Sequence, residues 1–128
     1  MTSEEYQKLA VKSEPLELSL TKSKLQNQNY VRGLHHALGI GTEVGELQDS
    51  FKRALFYNTA LDIINIKEEL GDVMWYIAGM CNTFGFSLEE VMQINIDKLK
   101  KRFPNNFNEN DAINRNLDEE RKVLEQKD

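Results

Sequence analysis

Apolar side chains recur every three or four positions along most of the chain, which is the spacing of one face of an α-helix. The longest pattern covers residues 31–57 and, apart from one longer step across residues 39–43, consists of Leu34, Leu38, Val44, Leu47, Phe51 and Leu55. A second pattern extends to about residue 84 and consists of Ile66, Leu70, Val73, Met74, Ile77 and Met80. These patterns predict two long amphipathic helices.

Residue types that begin and end helices predict the boundaries of these elements. The segment at residues 57–62 predicts a break, with Thr59 or Asp62 as the N-cap of the second long helix. Gly85 is expected to end that helix in a left-handed conformation. Ser87, with Glu90 three positions later, has the spacing of a capping box and predicts the start of another helix.

The remaining patterns are shorter. A third helix is predicted over residues 88–102, because Phe103 precedes Pro104 and a residue before proline disfavours helix. Short helices are predicted over residues 4–12 and about 117–125, while Pro15 and the polar residues after it predict an irregular connection. The expected fold is all-α, a bundle of about four to five helices.

The domain organisation follows from these elements. A domain is predicted over residues 1–104, with its core over about residues 31–104. Residues 105–128 are expected to form a C-terminal arm that is partly helical or contributes to an interface. A partly ordered tail is the alternative, because chain ends with few apolar residues are often poorly ordered.

Composition and charge restrict the function classes. The chain of 128 residues is 40% hydrophobic and 29% charged, as is typical of a soluble globular domain. Its net charge of −5 argues against a nucleic-acid-binding protein, because phosphate backbones are bound by clustered Lys and Arg. No segment approaches the apolar run of about 18 residues that spans a membrane, and the N-terminus lacks a signal-peptide pattern. We therefore expect a cytoplasmic protein that binds neither nucleic acid nor membrane.

Two acidic doublets interrupt the apolar patterns of the long helices. Glu43 and Glu46 lie three positions apart in the first helix, and Glu69 and Asp72 lie three apart in the second. Residues three apart differ by about 60° in direction around a helix, so each pair projects from one face. The short connection predicts antiparallel neighbours, so the doublets are expected to face each other.

The grouping of these acids suggests a metal site. Carboxylates that share a low-dielectric groove repel one another, and a hard divalent cation such as Mg²⁺ would neutralise them with the oxygen ligands that it prefers. The alternative is that all four are solvated surface acids, as Glu and Asp residues commonly are.

Each doublet contains a glycine at its third position, Gly45 or Gly71. Glycine inside a helix costs about 0.5–1 kcal/mol relative to alanine, so these glycines are expected to serve close approach of the two helices. Gly39, Gly41 and Gly79 are candidates for the same packing role.

A di-iron helical bundle also gathers glutamates from facing helices, but it uses Glu-x-x-His motifs. The only histidines, His35 and His36, precede Glu43, and neither follows a glutamate by three positions. The pattern therefore disfavours redox iron. His36 shares a helical face with Glu43, although a lone histidine there is more often a packing or surface residue.

Taken together, these motifs resemble the MazG-type all-α nucleoside triphosphate pyrophosphohydrolases. The signature of that family is Glu-x-x-Glu, a variable spacer and Glu-x-x-Asp, which Glu43-Val-Gly-Glu46 and Glu69-Leu-Gly-Asp72 match. The segments EELGDVMWYIAGM and NIDKLKKRFPNNF resemble the second motif helix and the helix after it. The resemblance covers about residues 5–107 and is strongest over residues 38–104.

The resemblance implies hydrolysis of a nucleoside or deoxynucleoside triphosphate to the monophosphate and pyrophosphate by a homodimer or homotetramer. It implies two or more Mg²⁺ ions per site, with Mn²⁺ as the alternative. The metal ligands would be Glu43, Glu46, Glu69 and Asp72. Glu46 is the first choice for the catalytic base that accepts the proton of the attacking water.

By the same resemblance, Asn95, Lys98 and Arg102 would bind the phosphates of the substrate. Their spacing of three and four residues places them in one helical stripe, for which an ordinary solvated face is the alternative. Tyr76 lies four positions after Asp72 and can stack on the base or ribose, as can Trp75, or both can serve packing.

Several alternatives stay open at this point. The same fold can act on another nucleotide, such as phosphoribosyl-ATP. A non-catalytic helical dimerisation or binding module, whose acids only keep exposed faces soluble, also fits the helical pattern. Glu68 is an alternative to Glu69 as a ligand, because it lies four positions before Asp72.

Overall fold

The computed structural model describes residues 1–14 and 17–126, and every regular element in that part of the chain is an α-helix. The helices are α1 (Ser3–Val11), α2 (Ser19–Lys24), α3 (Gln28–Phe56), α4 (Ile63–Phe84), α5 (Leu88–Arg102), α6 (Glu109–Ile113) and α7 (Leu117–Leu124). The all-α prediction is confirmed, with seven helices in the described part instead of four to five. Pro15 and the last two residues of the predicted arm lie outside the described residues.

Side-chain caps determine where the two long helices begin. α3 begins three residues earlier than predicted, because the side chain of Asn27 accepts a hydrogen bond from the Asn29 backbone N–H at 2.9 Å. Asp62, rather than Thr59, caps α4, since its carboxylate accepts hydrogen bonds from two backbone N–H groups of the first turn at 3.0 Å.

The boundary between α4 and α5 lies where the sequence predicts it. Gly85 adopts the expected left-handed conformation, with φ of 74°. The Ser87 hydroxyl caps α5 by accepting the Glu90 backbone N–H at 3.4 Å. Only this half of the predicted capping box forms, because the Glu90 carboxylate accepts a hydrogen bond from Gln126 beyond α7 instead.

Two short helices were not predicted from the sequence. α2 lies within the segment that was expected to be irregular, and α6 lies within the C-terminal arm. The side chain of Asn108 caps α6 by accepting the Asp111 backbone N–H at 2.8 Å. Helices of five or six residues contain too few turns for an apolar period to be visible in the sequence.

α3 and α4 pack against each other as an antiparallel pair. Asn58 lies in the connection between them with φ of 56°, a left-handed conformation that asparagine tolerates better than most residues. Gly33, early in α3, lies against the Phe84 ring at the end of α4, whereas Ser50, late in α3, hydrogen-bonds Asn65 near its start. The predicted antiparallel arrangement is confirmed.

Two glycines allow close packing of this pair. A Cβ atom at Gly39 would overlap the ring of Tyr76, and a Cβ atom at Gly79 would overlap the ring of His36. His36 is itself buried, with 7% of its surface exposed. The packing role predicted for Gly39 and Gly79 is confirmed.

The same prediction is wrong for the glycines of the acidic doublets. Apart from its chain neighbours and the backbone of its own helical turn, a Cβ atom at Gly45, Gly71 or Gly41 would meet no described atom within 4 Å. Successive residues turn by about 100° around a helix, so the position before Glu46 or Asp72 points away from the face that carries the carboxylates. Gly45 and Gly71 therefore do not bring the helices together in this chain.

Many large apolar side chains remain exposed on the single chain. Among the described residues of α3, the buried ones are Gly33, His36 and Gly39, so the helix packs through a narrow face of small or polar residues. Leu38 is 64% exposed and Leu55 is 74% exposed, although both belong to the apolar pattern of that helix. No described helix is both long enough and apolar enough to cross a membrane.

A cluster of ion pairs joins the C-terminal arm to α5. Glu120 of α7, only 4% exposed, accepts hydrogen bonds from Nε and Nη2 of Arg102 at 2.9 and 2.5 Å. It also accepts hydrogen bonds from Nε and Nη2 of Arg115 at 3.2 and 2.7 Å. The hydrogen bonds from Arg102, followed by those from Arg115, lower the pKa of Glu120 to about 2.

Acid is expected to detach α7 from α5. Because the pKa of Glu120 is about 2 in the fold and 4.5 ordinarily, its ion pairs stabilise the fold above pH 4.5, and that contribution is lost as the pH falls toward 2. Hydrogen exchange of the α7 amides measures this loss. In Glu120→Gln the α7 amides should already exchange faster than wild type at pH 7, and equal protection of the two proteins at pH 7 would contradict the assignment.

Candidate metal centre

Three carboxylates from α3 and α4 converge on one point. Glu43, Glu69 and Asp72 each offer an oxygen atom, and these atoms all lie within 4.8 Å of one another. Glu69 is buried, with 4% of its surface exposed, whereas Glu43 is half-buried and Asp72 is exposed. The cluster therefore has one side enclosed by the helix pair and one side accessible to solvent.

The cluster concentrates negative charge. Burial raises the pKa of Glu43 above its usual range, and the charges of Glu46, Asp72 and Glu69 raise it further, as does a hydrogen bond with Glu69. Within residues 1–14 and 17–126, the ion pairs that Lys and Arg side chains make are with other acids and not with these four. A bound cation would relieve this repulsion.

The donor atoms fit a hard divalent cation. All three ligand candidates are carboxylates, and neither histidine nor cysteine contributes to the group. Mg²⁺ takes oxygen ligands at about 2.0–2.1 Å, and Mn²⁺ is also suited to carboxylates. The ring of His36 packs against Gly79, where it serves the helix pair. The residues present therefore fit Mg²⁺ or Mn²⁺.

Glu46 lies beside the three-carboxylate cluster. Its side chain is exposed and lines a cavity of about 550 Å³ between α3 and α4, whose other lining residues include Glu69 and Arg53. The cavity thus joins the buried acid of the cluster to a basic side chain on α3. A water molecule or a phosphate group in this cavity would be adjacent to both charges.

The alternative acid Glu68 lies outside the cluster. Glu68 is exposed and lines the cavity, but the group of converging oxygens contains Glu69 and not Glu68. The difference arises because adjacent residues of α4 point about 100° apart, and only Glu69 points toward α3.

The predicted phosphate-binding stripe on α5 is separate from the cluster in the single chain. Asn95 lines a different cavity, of about 470 Å³, together with Leu124 at the end of α7, and Arg102 is hydrogen-bonded to Glu120. Lys98 is half-buried, and no residue of α5 lines the cavity that contains Glu46 among the described residues. The phosphate-binding roles of these three residues stay predictions.

The two aromatic candidates differ in their surroundings. Tyr76 is half-buried, and its ring occupies the space beside Gly39, so it packs between the helices. Trp75 is 62% exposed, meets Tyr76 edge-on at 4.9 Å between ring centroids, and lines a cavity of about 650 Å³ with His36. Trp75 therefore has the more accessible ring.

Comparison with known proteins assigns the chain to a family. The MazG nucleotide pyrophosphohydrolase domain matches residues 35–107, which is more than half of the chain and includes both acidic doublets. This chain belongs to the MazG nucleotide pyrophosphohydrolase family. The resemblance inferred from the doublets is therefore confirmed, and the carboxylate cluster lies within the matched MazG domain.

A curated phage protein is also similar to this chain. The Gene 37 protein of Mycobacterium phage L5 is 34% identical over 77 residues, which cover 56% of this chain and 68% of the phage protein. No solved structure matches the chain.

The MazG signature contains only the four acids, so two further residues were missed from the sequence: one that contacts the cluster and one that orients it. Asn65 donates a hydrogen bond through Nδ2 to Oε1 of Glu69 at 2.7 Å, and the Ser50 hydroxyl donates to Oδ1 of Asn65 at 2.5 Å. Asn65 lies four positions before Glu69, and Ser50 lies four after Glu46. Polar residues one helical turn from a candidate ligand were the signal available in the sequence.

Proposed function

We propose that this MazG-family protein hydrolyses a nucleoside or deoxynucleoside triphosphate to the monophosphate and pyrophosphate in a Mg²⁺-dependent reaction. The observation that carries the proposal is the convergence of Glu43, Glu69 and Asp72 within the MazG domain. Carboxylates without a basic partner suit a cation, and protein-bound Mg²⁺ commonly shares its coordination between a few carboxylates and substrate phosphates.

All four acids are metal ligands in this proposal, and Glu46 is also the catalytic base. Glu43, Glu69 and Asp72 would hold two or more Mg²⁺ or Mn²⁺ ions, with Glu46 completing the set. When bound, Mg²⁺ supplies positive charge that stabilises the phosphate oxygens and the leaving pyrophosphate. Glu46 is exposed at the cavity and is the carboxylate best placed to accept the proton of an attacking water molecule.

We also propose that the active protein is a homodimer or homotetramer. The exposed apolar side chains of α3 and α4 support this proposal, because a second copy would remove them from water. In such an assembly, Asn95 and Lys98 of one copy can serve the phosphates bound by another, and Arg102 joins them only if Glu120 releases it. The exposed ring of Trp75, or Tyr76, would contact the base or ribose.

A panel of substrates tests the proposed reaction. Ribo- and deoxyribonucleoside triphosphates and phosphoribosyl-ATP are incubated with the protein, with and without Mg²⁺, and pyrophosphate and orthophosphate are measured separately. We expect pyrophosphate and the matching monophosphate in equal amounts, and only when Mg²⁺ is present. Absence of turnover over the whole panel would contradict the enzyme proposal and favour a non-catalytic helical module.

A further inference from the structure

Glu69 is the most buried acid of the cluster and depends on a neutral donor. Its carboxylate is 4% exposed, and its Oε1 atom accepts a hydrogen bond from Nδ2 of Asn65 at 2.7 Å. Burying a carboxylate without a hydrogen-bond donor is costly, and Asn65 supplies Glu69 with such a donor. Glu69 also offers one carboxylate oxygen to the group of atoms that converges with Glu43 and Asp72.

The orientation of the Asn65 amide is fixed from the other helix. The Ser50 hydroxyl of α3 donates to Oδ1 of Asn65 at 2.5 Å, which leaves Nδ2 pointing to Glu69. The backbone N–H of Asn65 is itself bonded to the carboxylate of Asp62, the N-cap of α4, at 3.0 Å. These bonds connect α3, the start of α4 and the buried acid in one chain of hydrogen bonds.

We infer that Asn65 is a positioning residue of the metal centre: its amide, oriented by Ser50, holds the Glu69 carboxylate in place for the cation. The inference rests on the proposed function, since it concerns the same site. Groups that hydrogen-bond a metal ligand fix its orientation and basicity, and their loss typically weakens metal binding.

An uncharged amide suits this position better than a basic side chain. A Lys or Arg next to Glu69 would stabilise the carboxylate but would also repel a divalent cation bound to it. Asn65 supplies a donor without a charge, so the negative charge of Glu69 stays available. The ion pairs of Glu120 on α7 show the opposite arrangement, in which two guanidinium groups neutralise a buried acid.

Mn²⁺ binding tests this inference directly. Free Mn²⁺ is titrated by electron paramagnetic resonance against wild type, Asn65→Leu and Ser50→Ala, all at the same pH and protein concentration. The leucine variant keeps the approximate size of the side chain but removes both hydrogen bonds, so its Kd for Mn²⁺ should rise by about 10- to 100-fold. Ser50→Ala keeps the Asn65 amide as a hydrogen-bond donor but allows it to rotate, so a smaller rise in the Kd for Mn²⁺ is expected.

Asn82→Ala is the matched control, because Asn82 is an exposed asparagine on α4 away from the carboxylates. The Kd of this variant for Mn²⁺ should equal that of wild type.

A positioning role for Asn65 also predicts that, in Asn65→Leu, the Mg²⁺ concentration for half-maximal activity rises while kcat at saturating Mg²⁺ largely recovers. Wild-type Kd values in both Asn65→Leu and Ser50→Ala would overturn the inference. Failure of wild type itself to bind Mn²⁺ would instead overturn the metal site of the proposed function. If Asn65→Leu does not fold, an unchanged Kd in Ser50→Ala alone decides against the inference.

Discussion

Replacing Asp72 with asparagine is expected to lower kcat/KM for the preferred triphosphate by about 10²- to 10⁴-fold, because a metal ion contributes several kcal/mol of transition-state stabilisation. The amide has nearly the same size as the carboxylate but carries no negative charge. Asp72 is exposed, so the substitution should leave the fold intact. Pyrophosphate release at fixed Mg²⁺ measures the effect, and far-ultraviolet circular dichroism measures helicity.

Glu68→Gln is the matched control for this experiment. Glu68 is an exposed acid on the same helix and lies outside the converging oxygens, so its replacement removes the same charge without removing a ligand. Turnover of Glu68→Gln should stay within a few-fold of wild type. Retention of activity in Asp72→Asn, or an equal loss in both variants, would contradict the assignment of the ligands.

Replacing Gly79 with alanine is expected to destabilise the protein by about 1–3 kcal/mol, the usual cost of an extra methyl group in a close-packed region. The added Cβ would overlap the ring of His36, which is buried between α3 and α4 and has little space to move. Urea unfolding, followed by circular dichroism, measures the change in the free energy of unfolding.

The control is Gly71→Ala on the same helix. A Cβ at that position would lie in open space, so the gain in helix propensity should stabilise the protein by about 0.5–1 kcal/mol. Opposite signs for the two substitutions are the expected result. A destabilisation of similar size in both would show that the packing attributed to Gly79 is not specific to that position.

The elements of the fold could be predicted because their signals are local. The apolar period, Asp62 as one of two predicted caps, and Gly85 at the end of α4 each depend on a few neighbouring residues. The acidic doublets could also be identified locally, since three-residue spacing on a helix determines a shared face. Membership in the MazG family follows from the same residues.

The packing face of α3 and the partner of Arg102 were not predicted, because both depend on contacts between residues far apart in the sequence. The largest apolar side chains of α3 suggested its packing face, yet the helix pair meets through Gly33, His36 and Gly39, where small residues allow closer approach. The family resemblance implied a substrate role for Arg102, but in the single chain this residue pairs with Glu120, eighteen residues later. No local pattern reveals such a partner.

The cost of glycine inside a helix led us to expect close packing at the glycines of the doublets, but the close packing occurs at other glycines. Glycine inside a helix does require a reason, and two glycines of α4 were available to supply close packing. The direction in which a Cβ atom would point distinguishes them: at Gly79 it would point at the ring of His36, whereas at Gly71 it would point into open space. Which residues of α4 face α3 can be stated only when the packing of the two helices is known.

The measurement that tests the central claim most directly is calorimetry of Mg²⁺ binding in the presence of a nucleoside triphosphate analogue with a non-hydrolysable bridge between its α- and β-phosphates. Wild type should bind saturably, and Asp72→Asn should bind far more weakly, whereas Glu68→Gln should match wild type. Equal isotherms for wild type and Asp72→Asn, or no saturable binding by wild type, would contradict the claim that Glu43, Glu69 and Asp72 form the metal centre.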